Sequence, residues 1–256
     1  MPTPFMHLQI AEQIGAAPDL SDSARHLLEA AWPAFYFGNV APDFQAVCGL
    51  PREMTHFYSS PPLPDIEAYE VMLARYPQLA YTPAMPRTQA AFIAGYCVHL
   101  LFDLCWYRQI LIPFFADPPY WQDNRQRFLA HNALLIYLDR VALNSLSVDA
   151  SQELGAVTPD HWLPFAADAE LIKWRDNLTP QLQPGASVQT VDIYARRMRL
   201  VPTEFAANVQ DPDWMAQHVF DKVPLAAVQA ILDTCRQRSL SLIAQYLAVP
   251  AALPLI

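Results

Sequence analysis

A histidine and an aspartate lie in the middle of an otherwise apolar segment of the chain. Between residues 90 and 115 the only formally charged side chains are Asp103 and Arg108, and His99 precedes Asp103 by four residues. On a helix this spacing places both side chains on the same face, one turn apart. Burying an unpaired carboxylate costs several kcal/mol, which is comparable with the net stability of a whole domain. A partner must therefore neutralise Asp103, and the residue types suggest a metal ion.

Two other interpretations of this segment are open at this point. An apolar stretch of about 25 residues is long enough to span a membrane, but polar side chains interrupt it and the sequence has no second stretch like it. The pair could also form an ordinary structural hydrogen bond inside a core helix. The other histidines and acidic residues decide between these alternatives.

Further candidate ligands come from separate parts of the chain. Thr3 and the proline after it predict a helix over residues 4–14, and His7 lies on the face of that helix that should pack inward. Asp43 projects from the turn that follows a proline, and His56 stands next to two aromatic residues. Imidazole nitrogen and carboxylate oxygen together are the ligands expected of zinc in a hydrolytic site.

Another histidine, His131, shares the predicted inward face of a later helix with Phe128 and Leu138. The nearest acidic residue further along that helix is Asp139, two turns away. The spacing adds His131 to the candidate metal ligands.

The elements that must position these residues are predicted to be helices. The chain has 256 residues, of which 53% are hydrophobic and 16% charged, with only six glycines and 24 prolines. This composition favours proline-broken helices over a glycine-rich sheet, so we predict an all-α fold made of a single multi-helix domain. Besides the segments described above, helices are predicted over residues 22–37 (ended by Gly38), 65–76, 122–143, 166–177, 188–209, 212–220 and 224–247, with a loop over residues 145–164.

All of the candidate ligands lie in the first part of the chain. Residues 1–144 are therefore predicted to form the functional helical core. Residues 145–256 are predicted to add further helices that pack on that core within the same domain.

Charge and motifs exclude several classes of function. The net charge of −9 argues against a nucleic-acid duplex held by phosphate contacts alone, although metal ions can supply a positive field at a phosphate. Phosphate-binding glycine loops, the dinucleotide fingerprint and the serine-hydrolase elbow are absent from the sequence, as are the HExxH motif and an adjacent His-Asp pair.

The first residues and the cysteines bear on the compartment. The N-terminal stretch MPTPFMHLQIAEQI lacks a basic region and a long apolar core, so it predicts no signal peptide and a cytoplasmic location. The four cysteines have no CxxC spacing and do not predict a disulfide framework. Cys97 and Cys105 are expected to be small core residues of the apolar helix.

Four short motifs follow one another in an order that resembles the zinc-dependent phospholipase C family, which is related to the fungal single-strand-specific zinc nucleases. The motifs are MPTPFMH, GNVAPD, THFY and AGYCVHLLFD, and the resemblance covers about residues 2–140. It implies an all-helical fold that holds up to three zinc ions. It also implies that one zinc is bound by Asp43, His56, His99 and Asp103.

The resemblance assigns further roles as well. Asp103 would bridge to a second zinc, whose other ligands would be His7 and the amino terminus of the chain. Asp43 would accept a proton from the attacking water. Arg52 and Arg108 are candidates to stabilise the leaving group if a third ion is missing.

Three features depart from the family pattern, and one of them is that the N-terminal tryptophan ligand of the family is missing here. The family has a histidine six residues after the bridging aspartate, where this chain has Gln109. It also has an acid four residues after its last histidine ligand, where this chain has Leu135 after His131. The residues thus predict one zinc ion and support a second, whereas the third site is incomplete.

Two functions follow from these residues. The first is a zinc-dependent hydrolase, similar to phospholipase C, that cleaves a small phosphoester or a phospholipid head group with metal-activated water. The alternative is a metal-stabilised helical binding protein with a degraded metal cluster and no turnover. The residues indicate neither the oligomeric state nor whether the substrate is a lipid or a nucleotide.

Overall fold

The structure is a computed structural model that describes residues 1–116, 120–186 and 188–248. It is 72% helical, and the described residues contain no strand, which confirms the predicted all-α fold. The α-helices are α1 Pro4–Gly15, α2 Asp22–Ala30, α3 Trp32–Gly38, α4 Gln45–Cys48, α5 Glu53–His56, α6 Ala68–Arg75, α7 Arg87–Trp106, α8 Asn124–Ser145, α9 Ala150–Gly155, α10 Asp168–Leu178, α11 Thr190–Met198, α12 Pro202–Gln210, α13 Pro212–Met215 and α14 Leu225–Tyr246. Two π-helical segments, Tyr107–Ala116 and Ala216–Phe220, extend α7 and α13.

The helix α7 lies at the centre of the fold. Every residue on it from Ala90 to Trp106 is buried, and α3, α6 and α14 pack against it. A window within Arg87–Ala116 has the length and hydropathy of a membrane span, but 94% of that window is buried inside the protein. A helix that is apolar all round and covered by other helices is typical of a protein core.

Helices α3 and α7 approach each other so closely that glycine is required at their crossing. A Cβ atom on Gly38 would lie 2.1 Å from the carbonyl oxygen of Phe92, and one on Gly95 would lie 2.3 Å from that of Phe35. Gly38 ends α3 as predicted, yet the next residue, Asn39, is right-handed, so the cap does not require a glycine. Glycine is required at residue 38 because the backbones of α3 and α7 are in contact there.

Two predicted helices are interrupted in the structure. The helix predicted over residues 22–37 breaks at Ala31, whose φ of −136° departs from helical geometry. The helix predicted over residues 188–209 breaks at Arg199, which has a left-handed φ of 58°, shortly before Pro202 begins the next helix. Proline fixes its own φ and restricts the residue before it, which favours a fresh start over a continuous helix. The other predicted helices are present with ends shifted by at most three residues.

One disulfide bond links the central helix to the last one. Cys105 on α7 and Cys235 on α14 are bridged, with their Cα atoms 6.2 Å apart and a sequence separation of 130. The expectation that Cys105 is only a small core residue was therefore wrong, whereas Cys97 is a free buried thiol as predicted. Spacing along the chain could not indicate this pair, because only the packing of α14 on α7 brings the two residues together.

The C-terminal part of the chain packs on the same apolar core as the N-terminal part. The buried side chains form one cluster that runs from Phe5 on α1 to Ile243 on α14. The stretch 145–164, predicted to be a loop, contains the short helix α9. The division of the chain at residue 144 stays a prediction.

Asp139 is a buried acid on α8 whose Oδ1 atom has no hydrogen-bond partner among the described residues. Burial raises its pKa from 3.8 to about 6, although the side chains of Thr3 and Thr190 partly oppose this rise. Between these two pKa values the folded chain retains a proton that the unfolded chain has released. Folding stability from this group is therefore greatest below pH 4 and falls as the pH rises toward 6, by roughly 3 kcal/mol.

We expect Asp139→Asn to stabilise the protein at neutral pH and to leave its stability unchanged near pH 4. The amide keeps the shape of the side chain and removes the buried negative charge, so the gain above pH 6 should be about 2–3 kcal/mol. Urea unfolding of both proteins at pH 4, 5.5 and 7.5 measures the difference. Asp149→Asn, which removes a carboxylate at an exposed position, is the control for the loss of one negative charge. A difference between the Asp139→Asn protein and the parent that is the same at all three pH values would contradict the prediction.

Candidate metal centre

The centre of the site is the buried pair His99 and Asp103 on α7. Their spacing places them one turn apart on one face, with His99 Nε2 lying 3.8 Å from Asp103 Oδ2. Because α7 is covered on all sides, neither side chain can turn out to water. This pair is therefore placed as the sequence predicted.

Two further predicted ligands reach this pair from segments before α7. Asp43 lies in the 3₁₀ segment Ala41–Phe44, and His56 is the last residue of the short helix α5. His56 Nε2 lies 3.3 Å from His99 Nε2, 3.4 Å from Asp43 Oδ1 and 3.5 Å from Asp103 Oδ2. Ligand atoms at the corners of a tetrahedron around zinc, with bonds of about 2.0–2.2 Å, are about 3.3–3.6 Å apart. The three separations from His56 Nε2 are therefore those expected between ligands of one zinc ion.

Hydrogen bonds of the Nδ1 atoms orient the two imidazole rings so that their Nε2 atoms point toward each other. His99 Nδ1 lies 2.8 Å from the carbonyl oxygen of Asn39 and must donate to it, which leaves a lone pair on Nε2. His56 Nδ1 lies 2.8 Å from Thr55 Oγ1, whose hydroxyl donates to the carbonyl oxygen of Arg52 at 3.2 Å. The Nε2 lone pairs of His56 and His99 therefore point toward each other and repel. A cation bound between the two nitrogens would remove this repulsion and be coordinated by both.

A second group of potential ligands lies on the other oxygen of Asp103. His7 Nε2 is 3.5 Å from Asp103 Oδ1, and the His7 ring stacks on the His99 ring with centroids 3.7 Å apart. Both ring nitrogens of His7 and Asp103 Oδ1 are buried without a hydrogen-bond partner among the described residues. Buried polar atoms left in this state are costly, and an ion would satisfy them. Asp103 therefore directs Oδ1 toward His7 and Oδ2 toward His56 and His99.

Two groups of ligand atoms within 4.8 Å of one another result from this arrangement. One contains His7, His99 and Asp103, and the other contains Asp43, His56 and His99. His99 belongs to both groups, whereas the resemblance implied that Asp103 alone bridges them.

The surroundings of Asp103 also contain a fixed positive charge. The guanidinium of Arg52 forms an ion pair with Asp103 Oδ2 and donates to the hydroxyl of Tyr58 at 2.6 Å. Tyr58 in turn donates to Asp103 Oδ2 at 3.2 Å. Burial raises the pKa of Asp103, but Arg52, His7 and His99 outweigh burial and hold the pKa well below its usual range.

The pKa values of His99 and Asp43 keep these two side chains in the form that binds metal. Burial lowers the pKa of His99 to about 3, with His7 adding to this effect, so the ring is neutral at pH 7. Burial raises the pKa of Asp43, but its interactions with His56 and His99 outweigh burial and lower the pKa to about 2. Neutral imidazoles and ionised carboxylates are the states that a zinc ion requires.

A sequence profile described as zinc-dependent phospholipase C matches residues 6–166 of the chain. This range covers more than half of the chain and contains every residue of the two groups of ligands. The chain belongs to the zinc-dependent phospholipase C family. No curated protein and no solved structure matches the chain at a significant level. Helices α10 to α14 lie beyond the residues that the zinc-dependent phospholipase C profile matches.

His131 was predicted as a metal ligand, but the structure places it outside both groups. Trp106 Nε1 donates to His131 Nε2 at 3.3 Å, and the ring packs against Phe115 with centroids 4.9 Å apart. Gln109, at the position where the zinc-dependent phospholipase C pattern has a histidine, donates instead to Cys105 Sγ at 3.6 Å. Neither His131 nor Gln109 therefore belongs to the two groups of potential ligands that the described residues form.

Of the two arginines proposed for leaving-group stabilisation, only Arg52 lies at the site. Arg108 donates to Glu67 Oε1 at 3.0 Å and to the carbonyl oxygens of Leu63 and Ile66. These hydrogen bonds stabilise the loop that precedes α6. Nothing in the order of residues distinguishes the two arginines.

Sequence reasoning missed the groups that orient the histidines. The carbonyl of Asn39 and the hydroxyl of Thr55 hold His99 and His56, and both residues lie inside or beside motifs that were already singled out. It also missed Tyr194 and Arg197 on α11, which line the cavity that contains Asp43 and Arg52. No signal in the sequence connects α11 with residues more than 130 positions earlier.

Proposed function

We propose that this member of the zinc-dependent phospholipase C family is a zinc-dependent phosphodiesterase that cleaves a glycerophosphodiester or a related phosphate ester. The observation that carries the proposal is the set of separations of 3.3–3.5 Å between His56 Nε2 and the ligand atoms of Asp43, His99 and Asp103. Structural zinc sites are closed by the protein, whereas catalytic sites keep a position open to substrate. Here Asp43 and Arg52 line an open cavity of about 380 Å³ that reaches the ligands.

A zinc ion bound by these ligands would polarise the phosphoryl oxygens and bring the pKa of a coordinated water toward neutrality. The protein supplies the remaining functions. Asp43 is the ligand that is 20% exposed to the cavity, and its low pKa keeps it ionised at neutral pH, so its carboxylate can accept a hydrogen bond from the attacking water. Proton transfer from a zinc-bound water to Asp43 is the role that the family resemblance implies. Arg52, at 31% exposure, extends from the buried carboxylate to the cavity and can contact an anionic phosphoryl oxygen.

The side chains at the rear of the site exclude water and hold the ligands in place. Asn39 and Thr55 set the orientation of the two rings, and Tyr96 donates to the carbonyl oxygen of Thr55 at 2.6 Å. Positioning of this kind reduces the reorganisation that the site needs when a phosphoryl group binds.

The proposal is tested by metal analysis together with hydrolysis assays. We expect stoichiometric zinc in the purified protein and hydrolysis of at least one member of a panel of phosphodiesters, lost on chelation and restored by added zinc. A protein without bound zinc would contradict the proposal entirely. Bound zinc without hydrolysis of any phosphodiester would reject the enzyme and favour the alternative function.

That alternative is a metal-stabilised binding protein without turnover. Two observations favour it: Gln109 points to Cys105 and not toward a metal, and His131 accepts a hydrogen bond from Trp106. In such a protein zinc would bind and raise the melting temperature while every phosphodiester stays intact. The cytoplasmic location also stays a prediction.

A further inference from the structure

A second cavity continues from the metal centre on the side of α11. We call the cavity that contains Asp43 and Arg52 the inner cavity and the second one the outer cavity. The outer cavity has a volume of about 700 Å³. Both cavities are lined by Met1, Tyr194 and Arg197, so these residues form a common wall. A ligand whose phosphoryl group lies at the metal centre can therefore extend past Arg197 into the outer cavity.

The outer cavity is strongly positive although the chain as a whole is negative. Arg125, Arg197 and Arg199 line it, and its lining contains no aspartate or glutamate. None of the three guanidinium groups has a carboxylate within 4.0 Å among the described residues. Arginine is the side chain best suited to bind phosphate through paired hydrogen bonds. Three arginines without a carboxylate partner around one cavity indicate an anionic ligand.

The backbone at Arg199 gives a second reason to assign its side chain a role. Arg199 follows α11 with a left-handed φ of 58°, and Leu200 N donates to Ala195 O at 2.9 Å across the helix end. This type of helix end strongly favours glycine, because any Cβ atom is strained in the left-handed region. The chain nevertheless places an arginine there, at the edge of the outer cavity.

One wall of the outer cavity is apolar. Phe128 on α8 was predicted to face the core, but it lies in the first turns of its helix and is 53% exposed. It lines the outer cavity together with Leu135 and Met198. A flat or apolar part of a ligand can pack on this wall while its anionic group binds the arginines.

We propose that the outer cavity binds a second phosphate group of the substrate, so that the substrate is a phosphodiester whose alcohol portion carries a further phosphate. The proposal rests on the proposed function for the identity of the cleaved ester. It makes α11, beyond the residues matched by the family profile, the part of this chain that selects the substrate. Two sources share this chemistry: a phosphorylated inositol head group and a short single-stranded nucleotide.

Binding of matched phosphonate analogues tests the proposal without turnover. In these probes a methylene group replaces the scissile ester oxygen, and each pair differs only in the second phosphate. One pair is built on glycerophosphoinositol and the other on a dinucleotide. We expect the second phosphate to lower Kd at least about tenfold in one of the two pairs, as measured by calorimetry on the zinc-loaded protein. The pair that responds identifies the source.

Variants at the outer cavity separate loss of binding from loss of folding. Arg199→Gly removes the guanidinium and relieves the left-handed strain, so the melting temperature should stay the same or rise. The ratio of Kd values within the responsive pair should nevertheless fall from about ten toward one, and Arg125→Gln should act in the same direction. Arg196→Gln is the matched control, because Arg196 is 79% exposed on the same helix and lines neither cavity. It should leave the ratio unchanged.

The outcomes distinguish failure of this inference from failure of the proposed function. Equal affinities within both pairs, or a ratio that survives Arg199→Gly and Arg125→Gln, would overturn the inference even if simple phosphodiesters are hydrolysed. A ratio that depends on these arginines would support the inference even if no phosphodiester is cleaved. Hydrolysis of the corresponding esters then tests turnover separately.

Discussion

Replacing His99 or Asp103 with alanine is expected to remove bound zinc and to lower phosphodiester hydrolysis at least about a thousandfold. Each variant deletes a ligand from the middle of the site, and Asp103 is also the carboxylate that Arg52 and His7 face. A metal ion contributes several kcal/mol to stabilising the charge that develops in phosphoryl transfer, and about 4 kcal/mol corresponds to a factor of a thousand. Zinc content by mass spectrometry and initial rates of hydrolysis measure the two effects in the same preparations.

Two further variants are compared with these substitutions. One weakens the support of a ligand, and the other is a negative control. Thr55→Val keeps all ligands but removes the acceptor for His56 Nδ1, so zinc affinity should fall by about 10–100-fold rather than disappear. His161→Ala removes an imidazole that is 93% exposed on a loop and should change neither zinc content nor rate. Full zinc content in the His99→Ala protein, with its fold intact by circular dichroism, would show that the metal lies elsewhere.

Gly95→Ala is expected to destabilise the protein by about 3 kcal/mol or more. The new Cβ atom would meet the carbonyl oxygen of Phe35 at 2.3 Å and the backbone nitrogen of Asn39 at 3.0 Å, so rotation of a side chain cannot relieve the clash. Overpacking of a core typically costs about 1–3 kcal/mol, and a clash between backbones lies at the upper end. A movement of α3 that relieves this clash also moves the carbonyl oxygen of Asn39 away from His99, which lies one turn beyond Gly95 on α7. We therefore expect weaker zinc binding as well.

Urea unfolding and zinc titration of the same protein check this prediction. Gly155→Ala is the comparison, because its Cβ atom would meet only the methyl group of Thr179, at 3.2 Å. That variant should cost much less stability and leave zinc affinity unchanged. An equal effect of the two substitutions would mean that the approach of α3 to α7 is not what requires glycine at residue 95.

Helix boundaries show where sequence reasoning about the fold succeeds and where it stops. The helix α1 was predicted correctly because its cap is local: Thr3 accepts from Met6 N and a proline follows at the first position. The break at Ala31 was not predicted, although Pro33 follows two residues later and lies in the first turn of α3. A proline inside a predicted helix removes a backbone donor and favours a new helix start, so the sequence did contain a signal for this break.

In the candidate site, too, local features could be predicted from the sequence and tertiary contacts could not. The residue types and the four-residue spacing on α7 suggested a metal centre at His99 and Asp103, because a buried carboxylate needs a partner and imidazole with carboxylate is a common set of zinc ligands. Asp43, His56 and His7 could be added through the family resemblance, since ordered motifs encode the ligands. The separate roles of Arg52 and Arg108 could not be predicted, because both are arginines near the same motifs and only packing distinguishes their neighbours.

The sequence by itself determined the helical class of this protein and the residue types that meet at its candidate metal centre. Helix periodicity, caps and ligand chemistry are local properties that act over a few residues. Only the tertiary structure decided the disulfide bond between Cys105 and Cys235, the position of His131 away from the ligands, and the outer cavity lined by Arg197 and Arg199. Each depends on side chains far apart in sequence, and their approach follows from how complete helices pack around α7.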